Sequence, residues 1–402
     1  ATWWVGGPRQ SAALAWLQKR DATMYRGVVT AARALGLCLA VAAACGGVRA
    51  GAAEETKFED FLSSSAAAAA GGDTDTFSPF HGLGPFEVEK EVTQIDYDGA
   101  TSTVYIYTPE AEGTSANESW PGVVFGHGFC SKVENYENIL PILASWGFVV
   151  LATDEMSHCD ATTFRNGNTV NTTEYKNELK RNVLFLSEQP NIESVAIAGH
   201  SMGGGAGINA AADLAASSPG LVKGVVAVAP WNGVVPHPSA MVANVDCPLL
   251  MFCSKNDSLV PCSGPVTLQI ELGSFSMPFS ALLPALYGHE QGIDWGGGVL
   301  GIFENISTAN PTVLAVVKDT DHVSILDTDG TKARKMQEYF AQFGMEFSSP
   351  DLEYTIPTLE YTVAFLLWAL KGDNAADELI WGSEGGITTD DRFLQPVSRV
   401  NF

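Results

Sequence analysis

The sequence predicts an α/β fold, a doubly wound and mostly parallel sheet with helices on both faces. Three observations carry this. Short apolar, β-branched runs alternate with helical stretches from residue 122 onward, the order that buries a parallel sheet between helices. The run VAIAGHSMGGG, Val195 to Gly205, reads as a buried strand, a sharp turn and a helix start. No repeat of solenoid or propeller period interrupts the alternation.

Taken in order, residues 88–97 and 103–108 read as two strands of a hairpin, with Asp98-Gly99 as its turn. Residues 122–125 form a strand and 136–145 a helix, 148–153 a strand and 174–187 a helix. The strand 195–198 leads into a helix from Gly203. Strands follow at 224–229, 248–253 and 312–317, and residues 357–371 make a last helix. One segment breaks the rhythm. Residues 265–308, which include LGSFSMPFSALLPALYG and DWGGGVLGIF, are long and rich in aromatic, Gly and Pro residues. A connection of that length serves as a lid or binding loop, or packs on the flank of the domain.

The chain has 402 residues, 46% hydrophobic and 17% charged, enough for one large domain with tails. A formal charge of −24 opposes nucleic acid and anionic membrane surfaces and suits a solvated, salty or extracellular setting. Residues 1–50 stand apart. Met24 is the first methionine; Arg26 and Arg33, an apolar run from Ala34 to Cys45 and then Val48-Arg49-Ala50 make the pattern of a secretory signal peptide. That run is short for a bilayer span, so no stable membrane span is expected in the mature form. The competing reading is a membrane anchor or the front of a bipartite organelle address. Residues 51–76, with SSSAAAAAGG, read as a low-complexity linker, and 77–402 as the catalytic domain.

Beyond the signal, Cys130, Cys159, Cys247, Cys253 and Cys262 remain, an odd number. Cys253 and Cys262 flank one short loop, and Cys130 and Cys159 both follow strand ends, which makes these the expected pairs. Asn117, Asn171 and Asn305 stand in N-glycosylation triplets, compatible with a secretory route.

Gly199-His200-Ser201-Met202-Gly203 fits G-x-S-x-G in its proper strand–turn–helix setting, so Ser201 is the candidate nucleophile. A serine hydroxyl is a weak nucleophile at neutral pH; it needs a base, and the base needs an orienting carboxylate. In a doubly wound hydrolase these arrive in the order Ser, Asp/Glu, His, each after a strand. Asp257 follows the strand in CPLLMFCSKNDSLVP, and His322 follows the strand in PTVLAVVKDTDH. The rivals fit less well. His81, His127 and His158 precede the serine, His200 is inside the elbow, and His237 and His289 follow no clear strand. Asp246 precedes its strand, whereas Asp319 and Asp321 stand where they would shape the His322 loop. The oxyanion hole needs two backbone N–H groups. Met202 supplies one, and the loop in VVFGHGFCSK supplies the other at Phe129, with His127 making a local hydrogen bond.

Asp327-Thr328-Asp329-Gly330 with Glu338 resembles a calcium loop, but its sixth position is Lys332 where the turn requires Gly, so an acidic surface loop is the default. No zinc spacing, P-loop or dinucleotide fingerprint is present, and the chemistry needs no metal and no cofactor.

These residues resemble the α/β-hydrolase fold, and within it two groups. The GHSMGGG elbow, the ASWGFVV passage from Ala144 to Val150 and the Ala229-Pro230-Trp231 strand end are similar to bacterial cutinase-like polyester hydrolases. That resemblance implies Phe129 and Met202 as oxyanion donors, with Phe129 and Trp231 as aromatic walls for the acyl group. His127-Gly128-Phe129 and the GFVV passage are also similar to plant and algal chlorophyllases. Chlorophyllases usually carry Arg where this chain has Met202; polyester hydrolases usually carry Pro in place of His127 and lack the insertion before His322. The expectation is a secreted serine carboxylic-ester hydrolase, acting on short or medium acyl esters through Ser201, His322 and Asp257. Its partner is a small-molecule or lipid-like ester. The alternatives are a chlorophyllase-type esterase of a large lipophilic ester and an inactive hydrolase fold used as a binding module.

Overall fold

The computed structural model describes residues 78–110, 119–129, 131–154, 171–263, 269–272, 275–278, 298–307, 309–326, 352–382 and 386–399. The signal and linker readings, Cys130, Cys159, Asn117, the calcium-like loop and most of the insertion lie outside the described residues.

The hairpin opens the fold. Strands β1 (Glu87–Tyr97) and β2 (Ala100–Glu110) pair antiparallel in full register. Asp98 and Gly99 both take positive φ, at 51° and 78°, the backbone of a two-residue hairpin turn. Then come β3 (Trp120–Gly126), α1 (Leu140–Ser145), β4 (Val149–Thr153), α2 (Thr172–Ser187), β5 (Ile192–His200) and α3 (Met202–Ser217). After these follow β6 (Val222–Val228), α4 (Pro238–Met241), β7 (Leu249–Ser254), a small hairpin β8 (Gln269–Leu272) and β9 (Phe275–Pro278), and α5 (Gly298–Glu304). The chain closes with β10 (Thr312–Val317), α6 (Leu352–Lys371), α7 (Asn374–Trp381) and β11 (Phe393–Arg399). Nine strands form one sheet in the order β1-β2-β4-β3-β5-β6-β7-β10-β11. The pairs from β4 through β10 are parallel, and the hairpin and β11 add antiparallel edges.

Strand periodicity divides the core into two layers. Val124, Val195, Ile197 and Met251 face α2 and α3, meeting Leu179, Val183 and Ile208. Val123, Ala196, Ala198, Leu250 and Phe252 face the other way, toward Leu140 and Leu143 of α1 and Phe365 and Leu366 of α6. Both faces of the central strands are therefore dry, which is why they read as continuous apolar runs rather than alternating ones.

Three of the differences from the sequence reading turn on a proline. The stretch 136–145 is not one helix: Val133–Tyr136 is a 3₁₀ turn, and α1 begins only at Leu140 with Pro141 in its first turn. Proline is accepted in a first turn and disfavours a helix that would run through it. Helix α6 starts at Leu352, five residues before the expected Pro357, which forfeits a single backbone bond inside the helix. Strand β11 escaped notice because Pro396 argues against a strand; it is tolerated here because β11 is an edge. None of the described helices is long and apolar enough to cross a membrane.

Register brings the functional end together. Gly126 of β3 pairs with Gly199 of β5, His200 with Val228 of β6, and Ser254 of β7 with Val317 of β10. The carboxyl ends of five strands thus share one edge. There, a Cβ on Gly203 would fall 2.1 Å from the Gly126 carbonyl oxygen and 2.6 Å from that of His127. Both are backbone atoms with no room to yield. We expect Gly203→Ala to cost about 3 kcal/mol by overpacking. Gly207→Ala meets only a side-chain methyl, Ile197 Cγ2 at 2.9 Å, and regains about 1 kcal/mol of helix propensity, so it should be near neutral. Urea unfolding midpoints check the pair, and equal losses would contradict the packing account.

Candidate active site

Ser201 stands between β5 and α3 with φ 55° and ψ −121°, a conformation that an L-residue holds only when its surroundings enforce it. The enforcement is visible. Ser201 N–H donates to the Val228 carbonyl at 2.9 Å, and the Ser201 carbonyl accepts from Trp231 N–H at 2.9 Å and Gly205 N–H at 3.1 Å. The turn aims the hydroxyl at His322, whose Nε2 lies 2.9 Å from Ser201 Oγ.

On the other side of the ring, His322 Nδ1 lies 2.7 Å from Asp257 Oδ2. A carboxylate oxygen only accepts, so Nδ1 carries the proton and Nε2 presents a bare lone pair to the serine. Asp257 is fixed in turn by its second oxygen: Oδ1 accepts the backbone N–H groups of Leu259 at 2.9 Å and Val260 at 2.7 Å. The three side chains named by sequence are thus in one hydrogen-bonded line. All are buried, at 6%, 4% and 5% relative exposure for Ser201, Asp257 and His322.

The loops that carry Asp257 and His322 are stitched to each other. Lys255 N–H donates to the Val317 carbonyl at 3.1 Å, Asn256 N–H to the Thr320 carbonyl at 3.3 Å, and Thr320 Oγ1 to Ser254 Oγ at 2.9 Å. Asp321, a rival acid by sequence, spends its Oδ1 on Val323 N–H, Ser324 N–H and the Ser324 hydroxyl, and so shapes the turn around His322. Asp246 accepts Gly220 N–H at 2.8 Å, ahead of β6 at the opposite edge of the sheet.

Met202 is the first residue of α3, so its N–H has no intrahelical acceptor, and the helix N-terminus favours negative charge beside Ser201. Gly128 packs against Ser201: a Cβ on Gly128 would lie 3.4 Å from Ser201 Cβ. His127 makes the expected local bond, its Nδ1 2.8 Å from the Gly128 carbonyl, and burial holds its pKa below the usual histidine range. Trp231 is 6% exposed and belongs to the apolar core, so its indole is backed by packing rather than presented as an open face; Phe129 is half-buried.

Cys253 and Cys262 form a disulfide across the Asp257 loop, with Cα atoms 5.3 Å apart. Cys247 is a buried free thiol whose pKa burial pushes up to about 12. Helix α5 returns to the same loop, Val299 N–H donating to the Pro261 carbonyl at 3.2 Å and Leu300 N–H to that of Cys262 at 2.8 Å. The chain therefore leaves the acid loop at residue 263 and comes back to it at 298. Sequence reasoning missed this return, because the helix start GGGVLGIF carries no capping residue to announce it. With its cysteines nine positions apart, the disulfide should contribute about 2.5 kcal/mol through the unfolded chain. A Cys253→Ser/Cys262→Ser protein should lose that amount in urea unfolding, and an unchanged midpoint would contradict it.

Two comparisons bear on the family. No curated protein matches the chain. A family model described as PET hydrolase-like matches residues 64–267, just over half of the chain, from ahead of β1 through the elbow and Asp257 and ending where the insertion begins. His322 lies beyond that match. The chain belongs to the PET hydrolase-like family, and is by that membership a serine carboxylic-ester hydrolase of α/β-hydrolase fold.

Proposed function

We propose that Ser201, His322 and Asp257 are the catalytic triad and hydrolyse short or medium acyl esters through an acyl-enzyme. The observation that carries this is the continuous line from Ser201 Oγ to His322 Nε2 and from Nδ1 to Asp257 Oδ2, at 2.9 and 2.7 Å. Ser201 Oγ attacks the ester carbonyl while its proton passes to His322 Nε2, and Asp257 stabilises the imidazolium. The N–H groups of Met202 and Phe129 hold the tetrahedral oxyanion. His322 returns the proton to the departing alcohol, leaving Ser201 acylated; water, deprotonated by the same nitrogen, then releases the acid. Phe129 and the packed Trp231 border the acyl group, and the substrate is a small-molecule or lipid-like ester. The disulfide supports an oxidising, secretory compartment, with an organelle reached by a bipartite address as the alternative.

Two variants test the triad. Ser201→Ala should reduce kcat on p-nitrophenyl butyrate at least 10³-fold while leaving the far-UV spectrum unchanged. Asp257→Asn is more diagnostic. Its oxygen would stay with the Leu259 and Val260 N–H groups, so its NH₂ would face His322 Nδ1 and drive the imidazole into the wrong tautomer. We expect kcat to fall about 10³–10⁴-fold. Asp321→Asn keeps an accepting oxygen for its turn and should stay within a few-fold. The reverse ranking would transfer the acid role to Asp321.

The insertion sets chain length in this reading. What supports this is helix α5, part of the insertion, whose Val299 and Leu300 N–H groups bond to Pro261 and Cys262 of the Asp257 loop. Deleting residues 275–295 should widen the range of accepted acyl chains with the triad retained, and the intact enzyme should prefer soluble esters to polyester film. An unchanged chain-length profile, or film degraded as fast as soluble ester, would make the segment flank packing only. Faster release of phytol from chlorophyll than of short acids would favour the chlorophyllase-type alternative.

A further inference from the structure

The residue between Gly199 and the nucleophile is His200, a buried ring that the chemistry above does not use. Its two nitrogens are both engaged. Nδ1 lies 2.9 Å from the Tyr136 hydroxyl, and Nε2 lies 2.9 Å from the backbone carbonyl of His322. The Tyr136 oxygen also accepts the Gly128 N–H at 2.9 Å. An amide N–H can only donate and a carbonyl can only accept, so the two ends of this chain have fixed directions. Gly128 N–H donates to Tyr136 Oη, and His200 Nε2–H donates to the His322 carbonyl. Between them Tyr136 Oη and His200 Nδ1 share one hydrogen bond.

This line joins two loops far apart in sequence. Gly128 precedes the oxyanion donor Phe129 after β3, and His322 is the base after β10. They are bridged through the side chain next to the nucleophile. The seat is tight: a Cβ on Gly128 would lie 3.1 Å from Tyr136 Oη and 3.3 Å from His200 Nδ1. Tyr136 is held from behind by the Phe125 ring at 4.9 Å, and by the 3₁₀ turn whose first N–H, at Val133, donates to Asp154. Burial pushes the Tyr136 pKa up to about 12, against hydrogen bonds from Gly128 and Ser131, so the phenol keeps its proton. The His200 and His322 rings lie 4.8 Å apart at 34°.

We propose that Tyr136 and His200 are positioning residues that lock the oxyanion loop and the base loop into one register about Ser201. His322 is then fixed at both ends, its side chain by Asp257 and its backbone by His200. The inference rests on the triad reading above and adds two residues that the triad does not contain. Displacements of an ångström at a reacting centre cost up to about 10²-fold in rate, which is the scale of effect available to such a lock.

The test is a double-mutant cycle with separate kcat and KM on p-nitrophenyl butyrate, with Ser201→Ala run beside it. Tyr136→Phe and His200→Phe should each lower kcat about 10-fold with KM within twofold. The double variant should be no worse than the poorer single, because both break the same line. His200→Gln keeps one donor and one acceptor and should recover most of the loss. Should His200→Phe fail to fold, Tyr136→Phe measured with and without His200→Gln gives the same comparison: Gln should rescue nothing once Tyr136 lacks its hydroxyl. Unchanged kcat in Tyr136→Phe, multiplicative losses of about 100-fold, or losses confined to KM would overturn the lock while leaving the triad standing. Retained turnover in Ser201→Ala would remove the triad reading and the lock with it.

Discussion

The backbone of Ser201 is bent into positive φ, and most of what surrounds it exists to keep it there. Such a conformation costs of order 1–3 kcal/mol for a residue with a side chain. It is held by backbone bonds to Val228 and from Trp231, and by the contact of Gly203 with Gly126, where neither residue has a side chain to spare. The parallel strands on either side set these groups at matching heights. The strain is useful because it lifts the hydroxyl off the end of β5 and leaves the first N–H groups of α3 pointing at the space above it. A relaxed turn would do neither.

Around that fixed point the structure ties its loops together rather than leaving each to its own strand. The Asp257 loop is closed by a disulfide, shaped by Asp257 itself and bonded to the His322 loop through Ser254 and Thr320. Helix α5 leans on it from the insertion. The Gly128 loop is joined to the His322 loop through Tyr136 and His200. Preorganisation of this kind is what electrostatic stabilisation of an oxyanion requires, since donors that must move into place give back part of what they supply.

Much of this was legible in the chain. The apolar runs marked the strands of a mostly parallel sheet, because strands buried on both faces read as continuous apolar stretches, and G-x-S-x-G in its strand–turn–helix setting singled out Ser201. Asp257 and His322 followed from chain order, since each stands a few residues past a strand that could hardly be mistaken. What escaped depends on groups meeting across the fold. Pro141 broke an expected helix and thereby placed Tyr136 on a 3₁₀ turn under His200, a meeting 64 residues apart in sequence that no local pattern encodes. Trp231, expected by resemblance as an aromatic wall, is 6% exposed, and that degree of packing is not registered by sequence periodicity. Strand β11 was hidden by a proline that only an edge position excuses.

The most direct measurement is the site of covalent capture. The protein is treated with a fluorophosphonate probe, digested, and the adduct located by mass spectrometry. The account predicts a single adduct on Ser201, formed quickly by the native protein and not by the unfolded chain. Absence of any adduct on native protein, or an adduct carried by a different serine, would contradict it.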